Sequence, residues 1–149
     1  MRALLQRASR AEVRVAAETV AIIGPGLVVF LGVGPDDDEP TAAALATRVA
    51  EVRIFRDAEG RTNRSLADVG GEALVVSQFT LFADTRSGRR PGFTGAAPAD
   101  RAEQLYEQFA TALAALAPRV VTGRFGAEME VELVNDGPFT IWLDTADRP

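Results

Sequence analysis

Two short polar segments interrupt otherwise apolar runs in this chain. Ser77-Gln78-Phe79-Thr80-Leu81 follows the run Ala73-Leu74-Val75-Val76, and Asn135-Asp136-Gly137-Pro138-Phe139-Thr140 lies between Val131 and Leu143. Hydroxyls and an amide at the mouth of a buried strand need hydrogen-bond partners, because such groups are costly to bury unpaired. Taken alone, Ser77 to Leu81 reads as a strand end. In the second segment, Pro138 has no N–H and a fixed φ, and an X-Pro bond is the one place where a cis peptide costs only about 0.5–1 kcal/mol. Gly137 adds freedom in φ and lets its carbonyl approach a ligand closely. The plain reading of this dipeptide is a tight turn between two strands.

The residue types that are missing restrict the chemistry further. The 149 residues contain no His and no Cys, which excludes a Ser-His-Asp triad, a thiol nucleophile and a zinc site built on either ligand. They contain no Lys, so all 16 side-chain cations are Arg and Schiff-base chemistry is excluded. Any catalysis must use carboxylates, hydroxyls, arginines, backbone dipoles or the substrate's own groups. A formal charge of −5 argues against a protein coated in positive charge for non-specific nucleic-acid binding. The absence of Cys, of a signal-type N-terminus and of an apolar stretch approaching ~18 residues predicts a cytoplasmic protein with no membrane span.

The elements that must position these segments follow from periodicity. Residues 1–149 read as a single domain without linker or repeat. Arg2 to Val15 is a strand interrupted near Ser9, and Thr19 to Ile23 and Leu27 to Val33 follow around Gly24-Pro25-Gly26, giving an antiparallel N-terminal sheet. Asp36, Asp37, Asp38 and Glu39 supply negative charge to the start of a helix over about 40–52, a better account of that cluster than a metal site. Arg53 to Phe55 is a short strand before the turn at 57–60, and Glu72 to Leu81 is a strongly apolar strand. Residues 82–97 form a long loop carrying Arg86, Arg89 and Arg90. A second helix runs from Pro98 to about Ala117, with Leu105, Phe109, Leu113 and Leu116 on one stripe. Two or three strands end the chain. The pattern predicts an α+β fold: a curved, barrel-like, mostly antiparallel sheet flanked by two main helices.

Together the two polar segments resemble the signature motifs of the D-aminoacyl-tRNA deacylase family. The resemblance extends over essentially the whole chain, through Gln6-Arg7-Ala8-Ser9-Arg10-Ala11, Asp68-Val69-Gly70-Gly71-Glu72, Ala83-Asp84-Thr85-Arg86-Ser87-Gly88-Arg89-Arg90-Pro91 and Thr122-Gly123-Arg124-Phe125-Gly126-Ala127-Glu128-Met129. Phe139 stands where the family's second motif usually has Val.

The resemblance implies a homodimer that hydrolyses the ester joining a D-amino acid, or glycine mischarged on alanine tRNA, to the 3′ end of tRNA. It implies a catalytic segment at Ser77, Gln78, Phe79 and Thr80, with the N–H groups of Phe79 and Thr80 as an oxyanion hole and the substrate's 2′-hydroxyl assisting. It further implies a Gly-cis-Pro at Gly137 and Pro138 that enters the partner's site and rejects L substrates, and it places Met129 near the terminal adenosine. No cofactor and no metal are expected.

Other residues carry two readings each. Arg86, Arg89 and Arg90 suit tRNA phosphates or a merely solvated loop. Arg7 suits either a brace beneath Gly137-Pro138 or an ion pair within the sheet, and Met129 suits the core as well as the adenosine. Two other functions fit the motifs: a related deacylase of L-alanyl-tRNA, and a non-catalytic module that binds the tRNA end.

Overall fold

The computed structural model describes residues 1–147. Strand β1 (Arg2–Val15) is the spine of the sheet. It pairs antiparallel with β2 (Glu18–Ile23) over its second half, with β3 (Gly26–Gly32) over its first half, and with β8 (Glu130–Asp144) along almost its whole length. β3 then pairs parallel with β6 (Glu72–Ser77), and β6 pairs parallel with β7 (Arg119–Thr122). The order β2-β1-β3-β6-β7, with β8 added beside β1, curls into a nearly closed barrel. The expected α+β architecture is present, with parallel pairing confined to the β3-β6-β7 side of the sheet.

Both faces of the sheet are apolar, which is why β3 and β6 read as continuous hydrophobic runs rather than alternating ones. One face packs under helix α1 (Glu39–Glu51) and helix α3 (Ala99–Ala114), joining Leu5, Leu27, Val29 and Val75 to Leu45, Val49, Phe109 and Leu113. The other face encloses a smaller cluster of Ala11, Val13, Ile23, Val28, Leu74 and Val76 within the barrel. Each such Leu or Phe contributes about 1.5–3 kcal/mol on burial. α1 begins as its acidic lead suggests: the Asp38 side chain accepts from the Thr41 hydroxyl at 2.5 Å and from the Thr41 N–H at 2.9 Å, and these bonds, the hydroxyl's first, hold the Asp38 carboxyl below its ordinary pKa.

The observed elements differ from the expected ones in four places. The apolar strand ends at Ser77, and Phe79–Phe82 form one turn of 3₁₀ helix. The last ladder bond is Gln78 N–H to Leu31 O at 2.8 Å; beyond it the Phe82 ring settles over Gly32, where a Cβ would stand 3.1 Å from that ring. Two strands flanking a turn are replaced by one strand, β8, which bulges at Gly137-Pro138. The short strand after α1 is half of a hairpin, β4 (Phe55–Arg56) and β5 (Thr62–Arg64), followed by a one-turn helix α2 (Leu66–Val69) held by a capping box between Ser65 and Asp68. Helix α3 is shorter than its stripe, stopping at Ala114 as residues 115–118 turn toward β7.

The N-terminal ammonium is buried at the end of the barrel, 2.5 Å from Asp37 Oδ1. Beside it the Arg2 guanidinium lies 4.3 Å from the Phe82 ring centroid, while Arg2 donates to Leu81 O at 3.0 Å and to Asp144 Oδ2 at 2.8 Å. The 3₁₀ turn after β6 is therefore fastened to the far end of β8.

Candidate active site

The end of β6 opens into a cleft of about 630 Å³ lined largely by apolar groups. Ser77, Gln78 and Phe79 form one wall, Phe93 leans in from the long loop, and Phe125 and Met129 close the opposite side. Phe79 is 54% exposed and meets Phe93 edge to face at 5.0 Å, a geometry that fixes the rings without covering them. Met129 lines the cleft and also packs against the inner cluster.

The 3₁₀ turn concentrates backbone donors at this wall. The first N–H groups of a helical turn have no acceptor within it. Leu81 N–H bonds Gln78 O at 3.2 Å and Ala83 N–H bonds Thr80 O at 3.0 Å, whereas the N–H groups of Phe79 and Thr80 have no partner among the described residues. The Gln78 side-chain amide donates to Thr80 Oγ1. Among the described residues no carboxylate accepts from the Thr80 hydroxyl.

Gly137 and Pro138 lie elsewhere on the same chain. β1 pairs Gln6 with Thr140 and Ala8 with Asn135, so the four residues between Asn135 and Thr140 loop out opposite Arg7 alone. Asn135 ties this bulge at its neck: its Oδ1 accepts from Phe139 N–H at 3.1 Å and its Nδ2 donates to Thr140 Oγ1 at 2.9 Å. The motif alone does not mark Asn135 as a brace, although an Asn preceding a turn is a signal for this kind of local bond. The Gly137–Pro138 peptide is cis, and Gly137 has φ +129°.

Arg7 combines both of its readings. Its side chain is buried to 4% exposure beneath the bulge, where Nε donates to Asp136 O at 3.2 Å and pairs with Asp136 Oδ2, while Nη1 donates to Ile54 O at 2.5 Å. The carbonyl it braces belongs to Asp136, one residue ahead of the dipeptide. The Phe139 ring lies 4.9 Å from the guanidinium carbon, so the aromatic residue at this position packs as a cation–π partner.

The bulge does not line the cleft of its own chain. Through the paired registers, Arg7 aligns with Leu27 and Ala73, three strands over from β8 and four residues short of Ser77. At the usual strand spacing and rise this is roughly 20 Å along the sheet. Neither Gly137 nor Pro138 lines the cleft.

The three loop arginines are not equivalent. Arg86 is committed to Asp84, with bonds of 2.9 and 2.7 Å, and this partner holds the Asp84 carboxyl far below the ordinary carboxylate range while raising Arg86. Arg89 and Arg90 are exposed at the tip that the bridge between Asp84 and Gly92 creates. None of the three lines the cleft.

Among solved structures the chain superposes on a probable eukaryotic D-amino acid tRNA deacylase with TM-score 0.83 at 18% identity, covering 95% of this chain and 97% of that one, so the fold is the deacylase fold. It superposes on the c-Myc DNA unwinding element binding protein with TM-score 0.92 at 36% identity, covering 97% and 99%. The D-aminoacyl-tRNA deacylase of Dinoroseobacter shibae is 60% identical over 97% of this chain and 99% of its own, and that of Paracoccus denitrificans is 58% identical over 99% of both. The model for the D-Tyr-tRNA(Tyr) deacylase family matches residues 4–144, and the chain belongs to this family.

Proposed function

We propose that this protein hydrolyses the ester of D-aminoacyl-tRNA, and of glycine mischarged on alanine tRNA, acting as a homodimer in which Gly137 and Pro138 of each subunit enter the other's cleft. The observation that carries the reading is the pair of unpartnered N–H groups at Phe79 and Thr80, beside an open apolar cleft, in a chain with no His, Cys or Lys. The terminal adenosine lies against Phe125 and Met129, and the ester carbonyl points at the two amides. Water adds to that carbonyl, the oxyanion is held by the amides, and collapse releases the amino acid while the departing ribose oxygen takes the proton. A donor of this kind is worth about 2.7–4 kcal/mol in barrier. The neighbouring 2′-hydroxyl of the substrate relays the proton, which dispenses with a protein base.

The partner's bulge acts by exclusion. The carbonyls of Gly137 and Pro138 bond the substrate's ammonium and occupy the space an L side chain needs, whereas a D side chain projects away and glycine has nothing to collide. The separation between the bulge and the cleft of its own chain supports the contribution of a second subunit. Exposed Val134 and Trp142 on β8, at 42% and 45%, give that subunit apolar surface to cover.

Parallel single-turnover deacylation of D-Tyr-, L-Tyr- and Gly-tRNA with chelator present tests the whole reading. Hydrolysis of the first and third but not the second is expected, and tRNA binding without turnover would leave only an end-binding module. Thr80→Val is expected to keep most of the rate. Near-complete loss with tRNA binding intact would instead make the Thr80 hydroxyl the nucleophile.

A further inference from the structure

A chain of net charge −5 can grip a polyanion only through arginines that its own carboxylates have not neutralised. Arg2, Arg7, Arg10, Arg14, Arg86 and Arg119 are each ion-paired within the fold. The β4–β5 hairpin carries a different set. Arg53, Arg56, Arg61 and Arg64 are all exposed, and among the described residues none has a carboxylate ion-pair partner.

The acids close by in sequence are mostly turned to other work. Asp57 Oδ1 accepts from the N–H groups of Glu59 at 3.0 Å and Arg61 at 2.8 Å, closing the hairpin turn. Asp68 accepts from Ser65 N–H at 2.8 Å in the capping box of α2. Glu59 is exposed at the turn and Glu51 at the end of α1, and neither is paired to an arginine. Local carboxylate charge is thus largely directed at backbone donors; Arg64 donates to Asp68 O, and Arg56 and Arg61 are exposed with no carboxylate ion-pair partner among the described residues.

The hairpin is also rigidly registered to the bulge. Ile54 and Phe55 anchor its base in the main core, and Ile54 O accepts from the same Arg7 that braces Asp136. Wherever Gly137 and Pro138 are delivered, the four arginines travel with them.

We infer that the β4–β5 hairpin docks the phosphates of the tRNA acceptor stem, and that it does so for the cleft of the partner subunit. This rests on the proposed function, in which the bulge crosses to that cleft and the stem leads away from it. Arg side chains suit the task because they form charge-assisted, bidentate bonds to phosphate, and such bonds position a nucleic acid without reading its sequence.

The test is the double variant Arg56→Gln/Arg61→Gln, which spares Arg64 because it donates to Asp68 O. Binding of uncharged tRNA is measured from 50 to 200 mM salt, beside hydrolysis of a D-amino acid ester of adenosine alone. Each phosphate contact gives a salt slope of about 0.9, so losing two should lower the slope by about 1.8 and reduce the affinity lost over that range about 12-fold. Hydrolysis of the adenosine ester should be unchanged. An unchanged slope and affinity in the variant, or an equal loss on both substrates, overturns the docking role. Wild-type protein that binds tRNA with this hairpin-dependent slope, yet hydrolyses no D-aminoacyl ester, overturns the hydrolase reading and leaves the docking surface standing.

Discussion

Replacing Gly137 with Ala attacks the proposed filter at a point where the geometry sets the cost. The residue has φ +129°, a region that L side chains rarely occupy, and holding an alanine there costs about 1–3 kcal/mol. A Cβ at this position would stand 3.0 Å from Arg7 Nη2 and 3.1 Å from Phe139 N. Arg7 has little freedom to withdraw, because Nη1 is tied to Ile54 O and Nε to Asp136 O. Disturbing one of those bonds adds about 1 kcal/mol, for a total of about 2–4 kcal/mol. In a chain of this length that corresponds to a fall in Tm of roughly 4–16 °C. The bulge must then shift, and the carbonyls proposed to exclude L substrates shift with it. Thermal unfolding with parallel turnover of D-Tyr- and L-Tyr-tRNA reads both consequences. A Tm within a degree of wild type would refute the strain argument, and rejection of L-Tyr-tRNA as strict as before would refute the filter.

Two further outcomes follow from features away from the cleft. Ala16 and Ala17 occupy the β1–β2 turn with φ of +49° and +65°, where glycine or asparagine is favoured, so Ala17→Gly should raise stability by about 1 kcal/mol. An unchanged urea midpoint would contradict this. Burial pushes the single tyrosine, Tyr106, up to about 12, and its hydroxyl donates to Val75 O at 2.9 Å. Because the folded value is raised, stability is fully present below the unfolded value near 10 and is lost as pH rises from there through 12, by up to about 2.7 kcal/mol. Phenolate absorbance of the folded protein with a midpoint near 10 would contradict the burial argument, and Tyr106→Phe should flatten the alkaline loss.

The architecture was largely legible because it is written in local patterns. Asp38 and the apolar stripe of α1, the stripe of α3 and the unbroken hydrophobicity of β3 and β6 each state their element without help from distant residues. The site was legible as motif but not as geometry. Where Ser77 ends its strand is decided by Leu31 O and by the Phe82 ring over Gly32, contacts made across about 45 residues of chain. That Gly137-Pro138 forms a bulge and not a turn is decided by β1, which keeps pairing with β8 on both sides of Arg7. Neither partner is visible from within the motif. The β4–β5 hairpin escaped because β5 has no apolar alternation, its three residues being exposed Thr62, Asn63 and Arg64.

If the proposed dimer forms, the distance between the bulge and the cleft of its own chain makes fidelity a matter of mass action. In the proposed arrangement one subunit supplies the amides that accelerate hydrolysis and the other supplies the wall that restrains it. Dilution below the dimer's dissociation constant would leave a lone subunit with its amides in place and its cleft unguarded. In that arrangement association would be what keeps the catalyst selective, and the amount of protein made would set part of its accuracy.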